Sequence, residues 1–432
     1  MKIQPPRGTR DFLPEEMNRR RKAFDSIRNV FELYGYGEVC TPAFEDFKLL
    51  SKKSGPDIEK EIYTFKDKNG RKLGLRFDPT VPICRIVASN LSLAKPIKFY
   101  YITNMWRYDR PSVARWREFW QCGAELIGSD RADADAEVLS LVFKSLNAIG
   151  IKNFCFKINS RKIVNGILQL FDIKKPLWPD YMRILDKLDK IGAKAVFKEF
   201  EKLGLKKEQY ISAENILRNS ISIEELKKYI IGVYKNKNKN PEENDAMGGF
   251  SELERIIKLA KLFGVRNIEF DASIVRGIDY YTGFVFETFV KGYENFGSVA
   301  SGGRYNDLIK IYSGRETPAT GFGIGIDRLM EILKDEEYSP VKIFVAPVNE
   351  ETRREAIIIV QILRKNNIKA DTDLIGKKLG KQMKYVNAMN IPYTIIMGTK
   401  ELGRGEVLLR DMKTGKEKRI KNEKIVDVAK SL

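Results

Sequence analysis

The sequence predicts an α+β protein of several domains: a mostly antiparallel sheet, a helical insertion that splits it, and a small α/β domain at the end. Three observations predict this. Strand-like runs fill the first third of the chain and resume at "VRNIEFDASIVRG". Between them, lysine-rich segments of helical period follow one another. Beyond Val341, strand and helix patterns alternate, which predicts a largely parallel sheet. A chain of 432 residues also exceeds what one core usually holds. The expected divisions are 1–160 (first part of the core), 161–264 (insertion), 265–335 (second part of the core) and 340–432 (final domain).

Taken in order, Glu15 to Tyr34 alternate charged and apolar residues at helical spacing, and Gly35 and Gly37 end that helix. "EVCTPAFED" reads as a strand interrupted at Pro42, suited to an edge or interface. "GLRFDPTVPICRIVAS" runs from strand into helix, with "DPT" at the junction. "IKFYYITNMWRYD" and "REFWQCGAELIG" form an antiparallel pair with a basic loop at the tip. "ADADAEVLSLVFKSLNAIG" is an amphipathic helix and "IKNFCFKINS" a strand. Helices such as "SELERIIKLAKLFG" make up the insertion. Strands continue through "YYTGFVFETFV", "GSVASGGRY" and "ATGFGIGIDRLMEIL".

Composition limits the chemistry. Lys and Arg number 77 against 58 Asp and Glu, a net charge of +19. Such a surface suits polyanions, nucleic acid above all, although generic solvated lysine faces explain charge alone equally well. The four cysteines, Cys40, Cys84, Cys122 and Cys155, form no C-x-x-C pair, so buried reduced thiols are expected. There is no histidine. That excludes Ser-His-Asp and Cys-His nucleophiles and imidazole metal sites. It favours reactions in which charge is neutralised by cations. The N-terminus carries no apolar signal segment and no run is long enough to cross a bilayer, so a cytoplasmic protein with no membrane partner is expected.

Three stretches carry candidate chemistry. In "RYDRPSVARWREFWQCGAE", Arg107, Arg110, Arg115 and Arg117 crowd one loop, a density that anions would relieve. On the following strand Phe119, Gln121, Gly123 and Glu125 share a face, making an aromatic plate, an amide, a gap and a carboxylate in a row. The other face, Trp120, Cys122 and Ala124, is apolar. In "GFGIGIDRL", Gly321, Gly323 and Gly325 share one face and leave a lane for a planar ligand, with Arg328 at the junction to meet a phosphate or a base. Close packing of a helix on the sheet explains the glycines equally well. In "SIVRGIDYYTGFVFE", Arg276 and Tyr281 are five apart, so an unbroken strand would send them to opposite faces. A bend at Gly277 would bring both to one ligand.

These elements resemble the motifs of the class II aminoacyl-tRNA synthetases, and "VRGIDYYTG", "RGTRDFLP" and "ASGGRYNDL" resemble those of the histidyl branch. The resemblance covers nearly the whole chain, in the expected order. It implies a class II catalytic core, a C-terminal anticodon-binding α/β domain, and activation of L-histidine by ATP with Mg2+, then transfer to tRNA(His). By the same resemblance Arg107 and Arg276 act on the α-phosphate. Asp78, Pro79, Thr80, Gln121, Arg107 and Arg276 surround histidine, and Glu125 and Tyr281 read its imidazole beside Tyr280. Phe119, Asp109, Gly323 and Arg328 hold ATP, while Arg110 and Ser112 meet the tRNA acceptor end. Pro79 stands where the family more often has another residue and removes one backbone N–H. No metal site built by protein side chains is implied. A homodimer through the Pro42 region is implied. The competing expectation is a histidine-binding regulatory relative of the core without aminoacylation activity.

Overall fold

The structure is a computed structural model, and it describes residues 3–52, 55–110, 114–186, 192–218, 221–275, 280–334 and 337–432. The chain divides into two compact units, Met1–Asp11 with Lys22–Lys334, and Phe12–Arg21 with Asp335–Leu432.

The first unit is built on an eight-stranded sheet. Its strands are β1 (Gly37–Glu38), β5 (Ile97–Trp106), β6 (Glu118–Ile127), β7 (Phe154–Ser160), β8 (Ile268–Phe270), β9 (Phe284–Val290), β10 (Ala300–Arg304) and β11 (Ala319–Gly325). They lie in the order β1-β5-β6-β11-β10-β9-β7-β8. Only the two outer pairs, β1–β5 and β7–β8, are parallel. A small sheet of β2 (Phe44–Asp46), β4 (Lys72–Leu75) and β3 (Thr64–Lys66) stands apart from it. "EVCTPAFED" is therefore two strands in two sheets. Arg76, buried beside the break, donates to the carbonyls of Thr41 and Pro42.

The two faces of the central sheet differ as alternation requires. On one, Tyr100, Cys122, Ala124, Leu126, Phe322 and Ile324 join a large apolar cluster with the helix Ala132–Ala148. Phe31, near the end of the helix Pro14–Leu33, packs its ring 5.4 Å from Tyr100 and 5.8 Å from Phe322. The helices between β7 and β8 share that cluster; Ile163, Phe200, Leu226 and Phe250 all belong to it. On the other face, Tyr101, Ile127, Tyr280, Tyr305 and Leu308 form a smaller cluster around the cleft described below.

Two expectations need correction here. The strand expected through "YYTGFVFETFV" begins only at Phe284, so Tyr280 and Tyr281 sit on an irregular approach to it. Residues Arg276–Asp279 lie outside the described residues, and with them the expected bend at Gly277. Cys40 is exposed, unlike the buried thiols Cys84 and Cys122.

In the second unit, β12 (Ile343–Pro347), β13 (Ala370–Thr372), β14 (Tyr393–Met397), β15 (Glu406–Asp411) and β16 (Glu417–Lys421) lie in the order β13-β12-β14-β15-β16. The first three are parallel, but β14–β15 and β15–β16 are antiparallel. The sheet is thus mixed where a largely parallel one was expected, because a hairpin follows the βαβ units. No helix among the described residues is long and apolar enough to cross a membrane.

Candidate active site

Strand register assembles the floor of a cleft from distant parts of the chain. Phe99, Glu125, Gly321 and Gly303 form one row across β5, β6, β11 and β10; Tyr101, Gly123, Gly323 and Ser301 form the next row on the same face. The helix Thr80–Ser89 supplies one wall, with Asp78 and Thr80 at its N-terminal end. Tyr280 and Tyr281, their rings 4.9 Å apart, supply another. The resulting cleft and its solvent-filled mouth together span about 430 Å³.

At its floor lies Glu125, 1% exposed. The Thr80 hydroxyl donates to its Oε1 at 2.8 Å, and the Tyr305 hydroxyl donates to its Oε2. Burial pushes this carboxyl up to about 8, against the pull of those two donors. Asp78 is also raised by burial; it accepts from the Val81 N–H at 3.2 Å and, more weakly, from the Tyr280 hydroxyl at 3.5 Å. Desolvation raises the Tyr101, Tyr280 and Tyr305 phenols well above their ordinary value, so all three are neutral donors.

The glycines here are required by close approach. A Cβ on Gly321 would stand 1.6 Å from Glu125 Oε2, and one on Gly123 would stand 2.3 Å from the Tyr101 hydroxyl. The expected flat lane is therefore partly filled by the protein itself. Glu125 covers Gly321, and Gln121 Oε1 lies 3.1 Å from where a Cβ of Gly323 would be. Only at Gly325 is the backbone open, with Val299 O at 3.6 Å.

Arg107 guards the cleft. Its Nε donates to Phe77 O at 3.1 Å, its guanidinium stands 5.3 Å from the centre of the Phe119 ring, and its charge favours the ionised form of Asp78. Two of the other loop arginines are engaged within the protein. Arg115 pairs with Asp109 at 3.1 Å, and Arg117 donates to the Asp109 carbonyl and covers the Tyr108 ring. Asp109 and tyrosine faces relieve part of the repulsion that the sequence assigned to anions.

Of the expected residues, Asp78, Thr80, Arg107, Gln121, Glu125, Tyr280, Tyr281 and Gly323 line the cleft together. Phe119 lies against Arg107 at its edge. Pro79 caps the helix and faces a second, neighbouring cavity with Thr41 and Thr103. Arg328 does not line the cleft; its guanidinium donates to the Ser298 carbonyl. Asp109 and Arg110 stay on the loop, where the Arg110 N–H donates to Asp109 Oδ1 at 2.7 Å. Arg276 and Ser112 lie outside the described residues. Sequence reasoning missed Tyr101, Ser301 and Tyr305 as cleft residues. Tyr305 sits in the quoted "ASGGRYNDL", but its hydroxyl could be matched to Glu125 only through the strand register.

A family model described as "Histidyl-tRNA synthetase" matches residues 8–329. The chain belongs to the histidyl-tRNA synthetase family. A second model, an "Anticodon binding domain", matches residues 342–432. Among curated relatives of this family, the histidine–tRNA ligase of Pyrococcus furiosus is 39% identical over 99% of each chain. That of Methanocaldococcus jannaschii is 37% identical over 97% of each. The crystal structure of histidyl-tRNA synthetase from Nostoc sp. PCC 7120 superimposes with a TM-score of 0.82 at 27% identity, covering 100% of this chain and 99% of that one. The family match includes every strand of the eight-stranded sheet and so every wall of the cleft.

Proposed function

We infer that this chain is a histidine–tRNA ligase. It joins the carboxylate of L-histidine to the α-phosphorus of ATP, releasing pyrophosphate, and then transfers histidine from the adenylate to the 3′ end of tRNA(His). The observation that carries the reading is the buried Glu125, held by Thr80 and Tyr305 beside two neighbouring tyrosines, Tyr280 and Tyr281, whose rings meet at a tilt. An imidazole has one donor and one acceptor nitrogen, and both must be satisfied when buried. Glu125 accepts from one and the Tyr281 hydroxyl serves the other. An amino acid lacking that ring strands buried polar atoms, a discrimination of about 10⁴–10⁵ in comparable sites.

Asp78, Thr80 and Gln121 hold the substrate's amino group. The substrate carboxylate is ionised at neutral pH, so the first step needs no general base. It needs alignment and cations around a crowded phosphate. Arg107 supplies one, beside Asp78 and over Phe119, and Arg276 supplies the other. Phe119 stacks on adenine, Asp109 reaches its edge, the open backbone beyond Gly323 receives the nucleotide, and Arg328 turns from Ser298 to the phosphate tail. Among the described residues no group of three or more carboxylates or thiols is placed to hold a metal ion. By family likeness Mg2+ comes with ATP, on phosphate oxygens and water. Arg110 and Ser112 meet the acceptor end, and residues 340–432 read the anticodon. By family likeness the enzyme works in the cytoplasm as a homodimer.

The test is histidine-dependent ATP–pyrophosphate exchange followed by charging of tRNA(His). No exchange with histidine, under conditions where the protein is folded, rejects the reading. A histidine-binding regulator would bind histidine without exchange; the anticodon-binding match at residues 342–432 favours the ligase.

A further inference from the structure

The stretch "RGTRDFLP" has no part in the reaction derived above, yet its first residues lie against the start of β6, beside Phe119. Residues Pro6–Thr9 turn sharply, with the Thr9 N–H and hydroxyl both donating to the Pro6 carbonyl, at 3.0 and 2.8 Å. The Gly8 carbonyl accepts from the Arg117 N–H at 2.8 Å, and a Cβ on Gly8 would stand 2.8 Å from the Arg117 side chain. These contacts seat the segment. The link to the site is made by the next side chain, Arg10. Its guanidinium lies 4.3 Å from the centre of the Trp116 ring, and its Nη2 donates to Asp327 Oδ1 at 2.7 Å.

Asp327 is the joint. It is 3% exposed, and its second oxygen, Oδ2, accepts from the Trp120 N–H at 2.7 Å. One carboxylate thus grips the backbone immediately after Phe119 and stands immediately before Arg328 in the helix Ile326–Ile332. A buried carboxylate is costly unless it is paired and hydrogen-bonded. Arg10 supplies the charge and Trp120 the N–H. The planar guanidinium fixes direction as well as distance. Its Nη1 also stands 3.8 Å from Glu331, so Arg10 meets that helix at two positions one turn apart.

We propose that Arg10 is a positioning residue for ATP: through Asp327 it locks β6 at Phe119 to the helix that carries Arg328, so that the adenine plate and the phosphate-binding cation keep a fixed separation. The proposal rests on the readings of Phe119 and Arg328 given above. Glu125, Thr80 and Tyr305 bond one another farther along β6, so loss of Arg10 weakens the use of ATP and spares histidine.

The test compares full-length Arg10→Met, Asp327→Asn, the double variant and Phe119→Ala by ATP–pyrophosphate exchange, varying ATP and histidine in turn. Arg10→Met is expected to raise the ATP KM by about tenfold or more, as small misplacements of binding groups do. Its histidine KM stays within about threefold. The double variant loses less than the product of the two single losses, as expected of residues acting through one another. An unchanged ATP KM in Arg10→Met overturns the proposal. So do equal rises in both KM values, which a general loosening of the fold would give, and so does a double variant whose two losses multiply. If Arg10→Met does not fold, Arg10→Lys, which keeps the charge and loses the planar fork, carries the same comparison with the same criteria. An unchanged ATP KM in Phe119→Ala rejects the adenine role of Phe119 and the proposal with it, a result distinct from failure at Arg10 alone.

Discussion

The Tyr305 hydroxyl donates to Glu125 across the floor of the cleft, from a residue just past the end of β10 to one near the end of β6. Neighbouring Arg304 is locked on the opposite side of the sheet by Asp135, Ser129 and Arg131. Tyr305 is thereby held from behind while it orients the carboxylate in front.

Replacing Tyr305 with Phe removes that donor and keeps the ring. With the Glu125 carboxyl held up to about 8, this bond joins two largely neutral groups near pH 7 and is worth about 0.5–1.5 kcal/mol. The histidine KM in ATP–pyrophosphate exchange is therefore expected to rise by about threefold to tenfold, with the ATP KM little changed. Equal rises in both would mean that the substitution disturbs the whole cleft.

Gly321→Ala puts a methyl group where Glu125 Oε2 now lies. The carboxylate must leave its place, and kcat/KM for histidine is expected to fall by about a hundredfold or more, as for a misplaced recognition group. Exchange kinetics measure the loss. A crystal structure of the variant with Glu125 unmoved would contradict it.

Glu125 also makes stability depend on pH. In the unfolded chain its proton leaves near the ordinary glutamate value; in the folded protein it is held up to about 8. Between these values the unfolded state binds fewer protons, so stability falls as pH rises. Asp135, held at about 6 by burial, adds the same sign over a narrower range. The thermal midpoint of the ligand-free protein should drop between pH 5 and 8, and Glu125→Gln should flatten the drop. An identical slope in that variant would assign the effect elsewhere.

The Arg304–Asp135 pair, 3% and 1% exposed at the side chains, is a buried ion pair with an N–O distance of 2.8 Å. Arg304→Met strips the buried Asp135 of the cation that favours its ionised form, so the carboxyl must stay as an uncompensated charge or take up a proton, at a cost of up to about 3–5 kcal/mol. Urea unfolding should show this loss. Arg304→Met with Asp135→Leu should recover part of it, since the orphaned buried carboxyl is then gone.

Much of the site was legible because alternation is local. The parity of "EFWQCGAE" set Gln121 and Glu125 against Cys122 and Ala124, and the sheet keeps that division. The parity of "GFGIG" did the same for Gly321 and Gly323. What pairs with what was not legible, since register joins segments far apart in sequence. Tyr101 and Ser301 enter the cleft only because Gly123 and Gly323 stand between them in one row. For the same reason the glycine lane was read as empty: nothing near Gly321 in sequence announces the carboxylate that fills it. The β15–β16 hairpin escaped notice because its exposed, charged outer strand has little apolar alternation.

The union of β6 with β11 has a consequence for how the enzyme is made. β5 and β6 can pair as soon as both have left the ribosome, but β6 ends at Ile127 and its other neighbour begins at Ala319. Throughout synthesis of the inserted helices, the nascent chain carries open strand edges on β6 and β7, including Glu125 before Tyr305 exists to hold it. Such an edge is a template for association with other chains. Catalytic competence and protection from aggregation thus arrive together, late in translation, when a single strand closes the sheet.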